Sequence, residues 1–248
     1  LAQDHRYGER YRSLGVAAGR IQVVGNLKSR VSISAPTPAQ RRHLRGMMGI
    51  EEDAWVLTVG CLRPGEGAVV REIVSQAARH IDAFRCVVVP RHRDAVAQLC
   101  SELGEDVQVF VQPADGRTAP WRVALVDRYG ILDDMYALAD CALVGGTFVD
   151  IGGHNLWDAA QWGGAVMFGP DVHAQQQSAQ RLQQAGVGFS VVDAHDAVAR
   201  MRWVRDEGAR QVASARERLA RQLAKEHEAD IAILADGACD EQKRGGAP

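Results

Sequence analysis

The fold is decided by residues 141–170, which read CALVGGTFVDIGGHNLWDAAQWGGAVMFGP. A short apolar run at 141–144 predicts a buried strand, and a second run at 165–168 predicts another. Between them, residues 156–162 have helical spacing and follow two glycine pairs. Buried strands separated by a helix are typical of a parallel sheet that is covered by helices.

The rest of the chain shows the same alternation of apolar runs and helical periods. Further strands are predicted at residues 21–24, 55–59, 86–89, 107–111, 123–126 and 189–192. Helices are predicted at residues 38–48, 66–78, 93–103, 132–139, 174–184 and 195–204. The sequence therefore predicts an α/β fold, a doubly wound, Rossmann-like parallel sheet.

The two ends of the chain differ from this pattern. Residues 1–14 are charged with helical spacing, and we interpret them as a remnant of an inter-domain or upstream segment. Residues 15–206 form the predicted α/β domain, residues 207–236 a long C-terminal helix that breaks at most once, and residues 237–248 a disordered tail. Because residue 1 is leucine, we expect a fragment or a processed start.

Composition excludes several classes of protein. Hydrophobic residues make up 46% and charged residues 24% of the 248, which excludes collagen, coiled coil and disordered chains. No apolar run reaches the ~18 residues of a membrane-spanning helix. The net charge of −2 gives no basic field, so we expect no nucleic-acid partner. Five cysteines without a C-x-x-C pattern indicate free thiols in a reducing compartment.

The glycine pairs at 145–146 and 152–153 precede the most informative helix. They permit tight turns or close approach to a ligand, and His154 or Asn155 is the expected N-cap. Such a helix start favours an anion. Asp158 is interpreted either as a ligand-binding carboxylate or as an ordinary first-turn acid, and His154 as a capping or core histidine.

Two cations follow predicted strands at the edge where open α/β sheets bind ligands. Arg91 comes after Pro90 at the end of strand 86–89, and its planar fork suits phosphate, although it could simply cap the loop. Lys28 follows strand 21–24 and could hold a phosphate or carboxylate, or be a surface lysine. The loop GCLRPGEG at 60–67 matches neither common glycine-rich phosphate motif. Together these strand ends predict nucleotide binding.

The chain also carries an ordered set of motifs. They are GNLK at 25–28, VPRH at 89–92, YALAD..LVGG at 136–146, GGHN at 152–155 and FGP at 168–170. In these motifs and their spacing, residues 1–201 resemble the C-terminal half of the Kdo (3-deoxy-D-manno-octulosonic acid) transferases. These are inverting glycosyltransferases of the two-domain GT-B type.

The resemblance implies a function in lipopolysaccharide biosynthesis. Residues 15–206 would bind the donor CMP-Kdo without a cofactor or metal, and a separate N-terminal domain would bind the lipid A precursor. The general base, a glutamate in the family, would lie in that N-terminal domain, so no catalytic residue is expected in this chain. The resemblance further implies a cytoplasmic protein at the face of the bacterial inner membrane, associated with the membrane only through that N-terminal region.

The resemblance also assigns donor-binding residues by position. They are Pro90, Arg91, Tyr129, Gly130, Ile131, Gly153, Asn155, Leu156, Trp157 and Asp158, with Lys28 meeting the Kdo carboxylate or the phosphate. Arg91 and the helix start at Asn155 would stabilise phosphate charge as CMP leaves. Asp158 would accept hydrogen bonds from the ribose hydroxyls.

Three positions depart from the family pattern and leave alternatives open. Ile131 stands where the family has a glutamate, Asp158 where it has a longer carboxylate, and residues 61–64 differ from the usual Ser/Thr-His-Glu run. An isoleucine cannot accept the hydrogen bonds of a carboxylate. One alternative is therefore a GT-B domain that uses another nucleotide sugar, and another is a non-catalytic nucleotide-binding or interaction module.

Overall fold

The computed structural model describes residues 2, 5–23, 33, 35–110 and 121–244, with side chains up to residue 229. The chain forms two units. Residues Ile33–Arg218 form the larger one, and residues Leu1–Ser32 with Leu219–Pro248 form the smaller one.

The larger unit contains a seven-stranded sheet whose strand pairings are all parallel. The strand order is β3-β4-β2-β1-β5-β6-β7. The strands are β1 (Trp55–Leu62), β2 (Phe84–Pro90), β3 (Val107–Phe110), β4 (Val123–Val126), β5 (Cys141–Val144), β6 (Ala165–Phe168) and β7 (Gly188–Ser190).

Helices alternate with these strands along the chain. They are α1 (His5–Ser13), α2 (Pro38–Met47), α3 (Gly67–His80), α4 (Val96–Leu103), α5 (Leu132–Ala137), α6 (Leu156–Ala160), α7 (Gln176–Ala185), α8 (Ala194–Trp203) and α9 (Ala209–Arg244). Short 3₁₀ turns occur at Ala18–Arg20 and Arg93–Ala95, and a π-helical segment at Val204–Gly208 joins α8 to α9.

The sheet is buried on both faces, which explains why its strands are continuous apolar runs. Leu57 and Val59 of β1 face one core, which includes Ile73 of α3. Val56 faces the other core, which includes Met135 of α5. The predicted doubly wound α/β class is therefore confirmed.

One predicted strand is wrong. Of residues 21–24, Val23 forms only an isolated bridge with Ala2 in the smaller unit, and Val24 lies outside the described residues. A single backbone bond, from the Ala2 N–H to the Gln22 carbonyl at 2.7 Å, accompanies this bridge. The other seven predicted strands are present, with β3 described as far as Phe110 and residue 111 outside the described part.

The C-terminal helix is longer than the sequence predicts. Helix α9 continues to Arg244, past the predicted helix end at residue 236, and residues 245–248 are not described. A glycine inside a helix costs only about 1 kcal/mol, which explains why Gly237 does not end it. The π-helical segment precedes α9, and the Trp203 ring packs there against Gly208.

Helix α2 is anchored at the amino end of β5. The buried Arg45 guanidinium donates to the carbonyls of Leu138 (3.1 Å) and Ala54 (2.9 Å) and pairs with Asp140 at 2.8 Å. Arg41 pairs with the same carboxylate at 2.6 Å. A cavity of about 380 Å³ lies here, lined partly by Arg41, Arg42, Arg45 and Asp140. Its position is opposite the carboxyl ends of the strands.

Candidate functional site

The strand order creates a crevice at the carboxyl edge of the sheet. Strand β1 lies between β2 and β5, so the loops that follow β1 and β5 leave toward opposite sides of the sheet. Open α/β sheets bind ligands at such a switch point. We use "the crevice" for the carboxyl ends of β1, β2 and β5 with loops 60–66, 91–93 and 145–155.

Glycines allow the backbones of the crevice to approach closely. A Cβ atom at Gly145 would overlap the carbonyl oxygen of Cys61, and one at Gly60 would overlap the hydroxyl of Tyr136. Cys61 itself has φ = 56° at a bulge between Gly60 and Leu62. Burial raises the pKa of the Cys61 thiol to about 11, so it is not a thiolate at neutral pH.

Loop 145–148 is held by the carboxylate of Glu66. This side chain, whose residue is 1% exposed, accepts backbone N–H bonds from Gly146 (2.7 Å), Thr147 (3.0 Å) and Phe148 (3.0 Å). It also accepts one from Arg63 at 2.9 Å. Glu66 therefore joins the loop after β1 to the loop after β5.

The second glycine pair is fixed by Asp171. Its carboxylate accepts backbone bonds from Ile151 (2.9 Å) and Gly152 (3.0 Å) and contacts His173 Nδ1 at 2.7 Å. The Gly152 N–H, followed by His173, lowers the pKa of this carboxyl. Three side chains here carry atoms that could bind a metal ion, and one such atom from each lies within 4.8 Å of the others. They are Asp150, Asp171 and His173. Asp171 already bonds the loop in this arrangement, which gives it a structural role.

Arg91 lies in the crevice, as predicted. Its backbone N–H donates to the carbonyl of Leu62 at 3.0 Å, and its side chain is exposed. Its charge opposes the rise that burial causes in the pKa values of Cys61 and Asp158, and it adds to the lowering that burial causes in the pKa of His154. The backbone bond places Arg91 beside the end of β1, whose other neighbour is β5.

Asn155 and Asp158 form a bonded pair at the start of α6. The Asn155 side chain caps the helix by accepting from the Trp157 N–H at 3.2 Å, and its Nδ2 donates to Asp158 Oδ1 at 2.6 Å. Burial, and after it the charge of Asp133, raises the pKa of Asp158. Helix α6 has only five residues, so the expected helix-dipole contribution is small.

Of the three side chains expected to converge, Arg91 and Asn155 follow the two strands on either side of β1, at the same edge of the sheet. Lys28 lies outside the described residues, so its predicted position stays a prediction.

The remaining predicted donor contacts differ in what they can offer. Tyr129 is 73% exposed with Arg93 over its ring at 5.4 Å, and is available to a ligand. Ile131, Leu156 and Trp157 have buried side chains, so only their backbones can contact a ligand. The other three predicted contacts are Pro90, half-buried at the end of β2, and Gly130 and Gly153, with φ angles of 73° and 84°.

Sequence reasoning missed two residues of the crevice, Arg63 and Tyr136. Arg63 is half-buried in the loop after β1. His154, a predicted capping or core histidine, leaves the cap to Asn155 and packs its ring against Gly146. The Tyr136 hydroxyl is buried behind Gly60. Among the described residues, neither that hydroxyl nor His154 Nε2 has a hydrogen-bond partner. Only the position of Arg63 directly after a strand could have indicated a site.

His154 gives the crevice a testable pH dependence. Burial, then the charges of Arg91, Arg63 and His92, lower its pKa from 6.5 to about 4. The unfolded chain therefore binds a proton below pH 6.5 before the folded chain does, so stability is full above pH 6.5 and is lost as the pH falls toward 4. His154→Gln should flatten this loss in urea unfolding measured between pH 4 and 7. The exposed His195→Gln is the control, and an unchanged slope in His154→Gln would contradict the assignment.

Comparison with known proteins places this geometry in context. The chain is 31% identical to the 3-deoxy-D-manno-octulosonic acid transferase of Chlamydia trachomatis over 195 residues, 77% of this chain and 44% of that protein. The C-terminal CMP-Kdo binding domain of WaaA from Acinetobacter baumannii superposes with a TM-score of 0.60 at 20% identity, covering 75% of this chain and 96% of that one. No family model matches the sequence.

A second solved structure extends the likeness of the fold. Anabaena Alr3699/HepE in complex with UDP-glucose has a TM-score of 0.56 at 12% identity, over 95% of this chain and 63% of that one. With the parallel sheet, these likenesses show a GT-B-type fold. The chain is homologous to the 3-deoxy-D-manno-octulosonic acid transferases, which confirms the resemblance found in its motifs. It spans less than half the length of the transferases that it matches.

Proposed function

We propose that this chain is the donor-binding part of a Kdo transferase that transfers Kdo from CMP-Kdo to a lipid A precursor. The observation that carries the proposal is that Arg91, after β2, and the bonded Asn155–Asp158 pair, after β5, lie on either side of β1 at the switch point of the sheet. The homology to Kdo transferases supports the choice of donor. The acceptor site and the catalytic base are assigned to parts of the protein outside this chain.

The proposed chemistry is stabilisation of the leaving nucleotide. When the bond between the sugar and the phosphate breaks, negative charge develops on the phosphate of CMP. Arg91 would stabilise that charge with a bidentate guanidinium, and Asp158 would accept hydrogen bonds from the ribose hydroxyls. Fixed cations at the phosphate support a metal-independent reaction.

A second candidate is a GT-B domain that binds a different nucleotide sugar. Ile131, where the family has a carboxylate, favours it, because the buried isoleucine side chain cannot accept hydrogen bonds from a base or ribose. A third reading, a non-catalytic nucleotide-binding or interaction module, also remains a hypothesis.

A thermal-shift panel separates these candidates. The chain is heated with CMP, UMP, UDP or cytidine, of which cytidine lacks the phosphate. A ligand at 100 times its dissociation constant raises the free energy of unfolding by about 2.7 kcal/mol. We expect stabilisation by CMP and none by cytidine. Stabilisation by uridine nucleotides alone would establish the second candidate, and no response to any nucleotide would contradict nucleotide binding.

The location follows from the same proposal. Across the described part of the chain, we find no helix with the length and apolarity needed to cross a bilayer. Action at the cytoplasmic face of the inner membrane is proposed because a lipid A precursor is a membrane lipid. Contact with the membrane would then be made by the part of the transferase that binds this acceptor.

A further inference from the structure

Arg63 and Arg91 leave neighbouring strands at equivalent positions. The parallel pairing of β1 with β2 ends at Leu62 opposite Pro90, and the Arg91 N–H donates to the Leu62 carbonyl at 3.0 Å. Adjacent strands are about 4.8 Å apart. The two arginines that follow this pair therefore enter the crevice side by side.

The loop after β5 begins beside the end of β1, because the Gly145 N–H donates to the Gly60 carbonyl at 2.8 Å and β1 lies between β2 and β5. After burial, which is the largest cause, the charges of Arg91 and Arg63 contribute to the lowered pKa of His154 in that loop. Among the described residues, no ion pair joins either arginine to a carboxylate. Glu66, beside them, has its carboxylate occupied by four backbone N–H groups. Within the described part of the chain, neither arginine is therefore neutralised by a direct ion pair.

Two buried polar atoms border the crevice. The Tyr136 hydroxyl, on a side chain that is 1% exposed, and His154 Nε2 lack hydrogen-bond partners among the described residues. Each lies against a glycine at the carboxyl end of β1 or β5, namely Gly60 and Gly146. The unpaired charge is therefore accompanied by unpaired buried polar groups at the same edge.

We propose that Arg63 is a second anion-binding residue, which holds a negative charge of the donor additional to the phosphate that Arg91 binds. This inference rests on the proposed function and narrows the donor class to nucleotide esters with two separate anionic groups. The second group is either a sugar carboxylate or a second phosphate, since a guanidinium fork fits both. Arg63 would thereby determine which donors bind.

The test compares ligands that differ by one anionic group. Isothermal titration is carried out with CMP methyl ester, which has a singly charged phosphate, and with CMP-N-acetylneuraminate, which adds a carboxylate. CMP and CDP form a second pair, which differs by a phosphate. We expect Arg63→Ala to weaken the better-bound two-anion ligand at least about 10-fold, the loss of one charge-assisted hydrogen bond. Its effect on the matching one-anion ligand should be small.

The pattern of results identifies the second group and separates the two proposals. A loss confined to CMP-N-acetylneuraminate assigns the carboxylate, and a loss confined to CDP assigns the phosphate. Arg63→Lys should retain part of the preference for the ligand with two anionic groups. Arg79 is exposed on α3, and Arg79→Ala should leave the affinity for every ligand unchanged. Two affinity ratios matter, that of CMP-N-acetylneuraminate to CMP methyl ester and that of CDP to CMP. If the wild-type chain binds CMP but Arg63→Ala leaves both ratios unchanged, Arg63 has no such role and the proposed function stands. If the wild-type chain binds none of these ligands, both proposals are overturned.

Discussion

Glu66→Ala is expected to lower the free energy of unfolding by about 3–5 kcal/mol, because removal of a buried charged partner leaves its hydrogen-bonding groups unpaired. The amides of Gly146, Thr147 and Phe148 would lose their acceptor in a site that excludes water. The free energy of unfolding of a domain is about 5–15 kcal/mol, so the expected loss is a large share of the total stability. Chemical denaturation followed by circular dichroism measures the change.

Two further variants make this prediction specific. Glu66→Gln keeps one oxygen acceptor but turns an NH₂ donor toward backbone N–H groups, so an intermediate loss is expected. Glu72→Ala removes the same side chain from an exposed position on α3, where a change within about 0.5 kcal/mol is expected. A loss at Glu66 no larger than that at Glu72 would show that the carboxylate does not hold the two loops together.

The fold was largely predictable because the strands of a sheet that is buried on both faces are unbroken apolar runs in the sequence. Strand β5 and strand β6 are fully buried, and each is an unbroken apolar run. Residues 21–24 are also apolar but belong to the smaller unit, because composition does not reveal which partner a short run pairs with. Helix α9 continues through Gly237, since one glycine does not outweigh the helix formers around it.

The candidate site was only partly predictable. Arg91 and Asn155 were found because each lies directly beside a strand or helix end that the sequence marks with proline or glycine. The role of Glu66 depends on amides 80 to 82 residues further along the chain, and no local pattern reports such a contact. The position of Arg63 beside Arg91 depends on the register of β1 with β2.

Several side chains that were predicted to contact the donor are buried in the structure. The motif positions Ile131, Leu156 and Trp157 were assigned to the donor by resemblance, but their side chains lie in the core. Such positions can therefore preserve the shape of a crevice through packing, while Tyr129 is exposed.

Arg91→Ala is expected to weaken CMP binding by about 100-fold, since loss of one partner from a charged hydrogen-bonded contact costs about 2–5 kcal/mol. The fold should be unaffected, because the side chain is exposed and has no ion pair among the described residues. Arg91→Lys should bind with intermediate affinity, because an ammonium keeps the charge but loses the bidentate fork.

The matched control is Arg42→Ala, at the cavity on the opposite edge of the sheet. Like Arg91, Arg42 is an exposed arginine near a concave surface, but it lies at the amino ends of the strands. The most direct measurement is isothermal titration of CMP into the wild-type chain, Arg91→Ala and Arg42→Ala under identical salt conditions. Loss of affinity in Arg91→Ala, with unchanged affinity in Arg42→Ala, is the predicted result. If CMP affinity is unchanged in Arg91→Ala and lost in Arg42→Ala, CMP binds at the amino ends of the strands. That result would contradict the proposed site at their carboxyl ends.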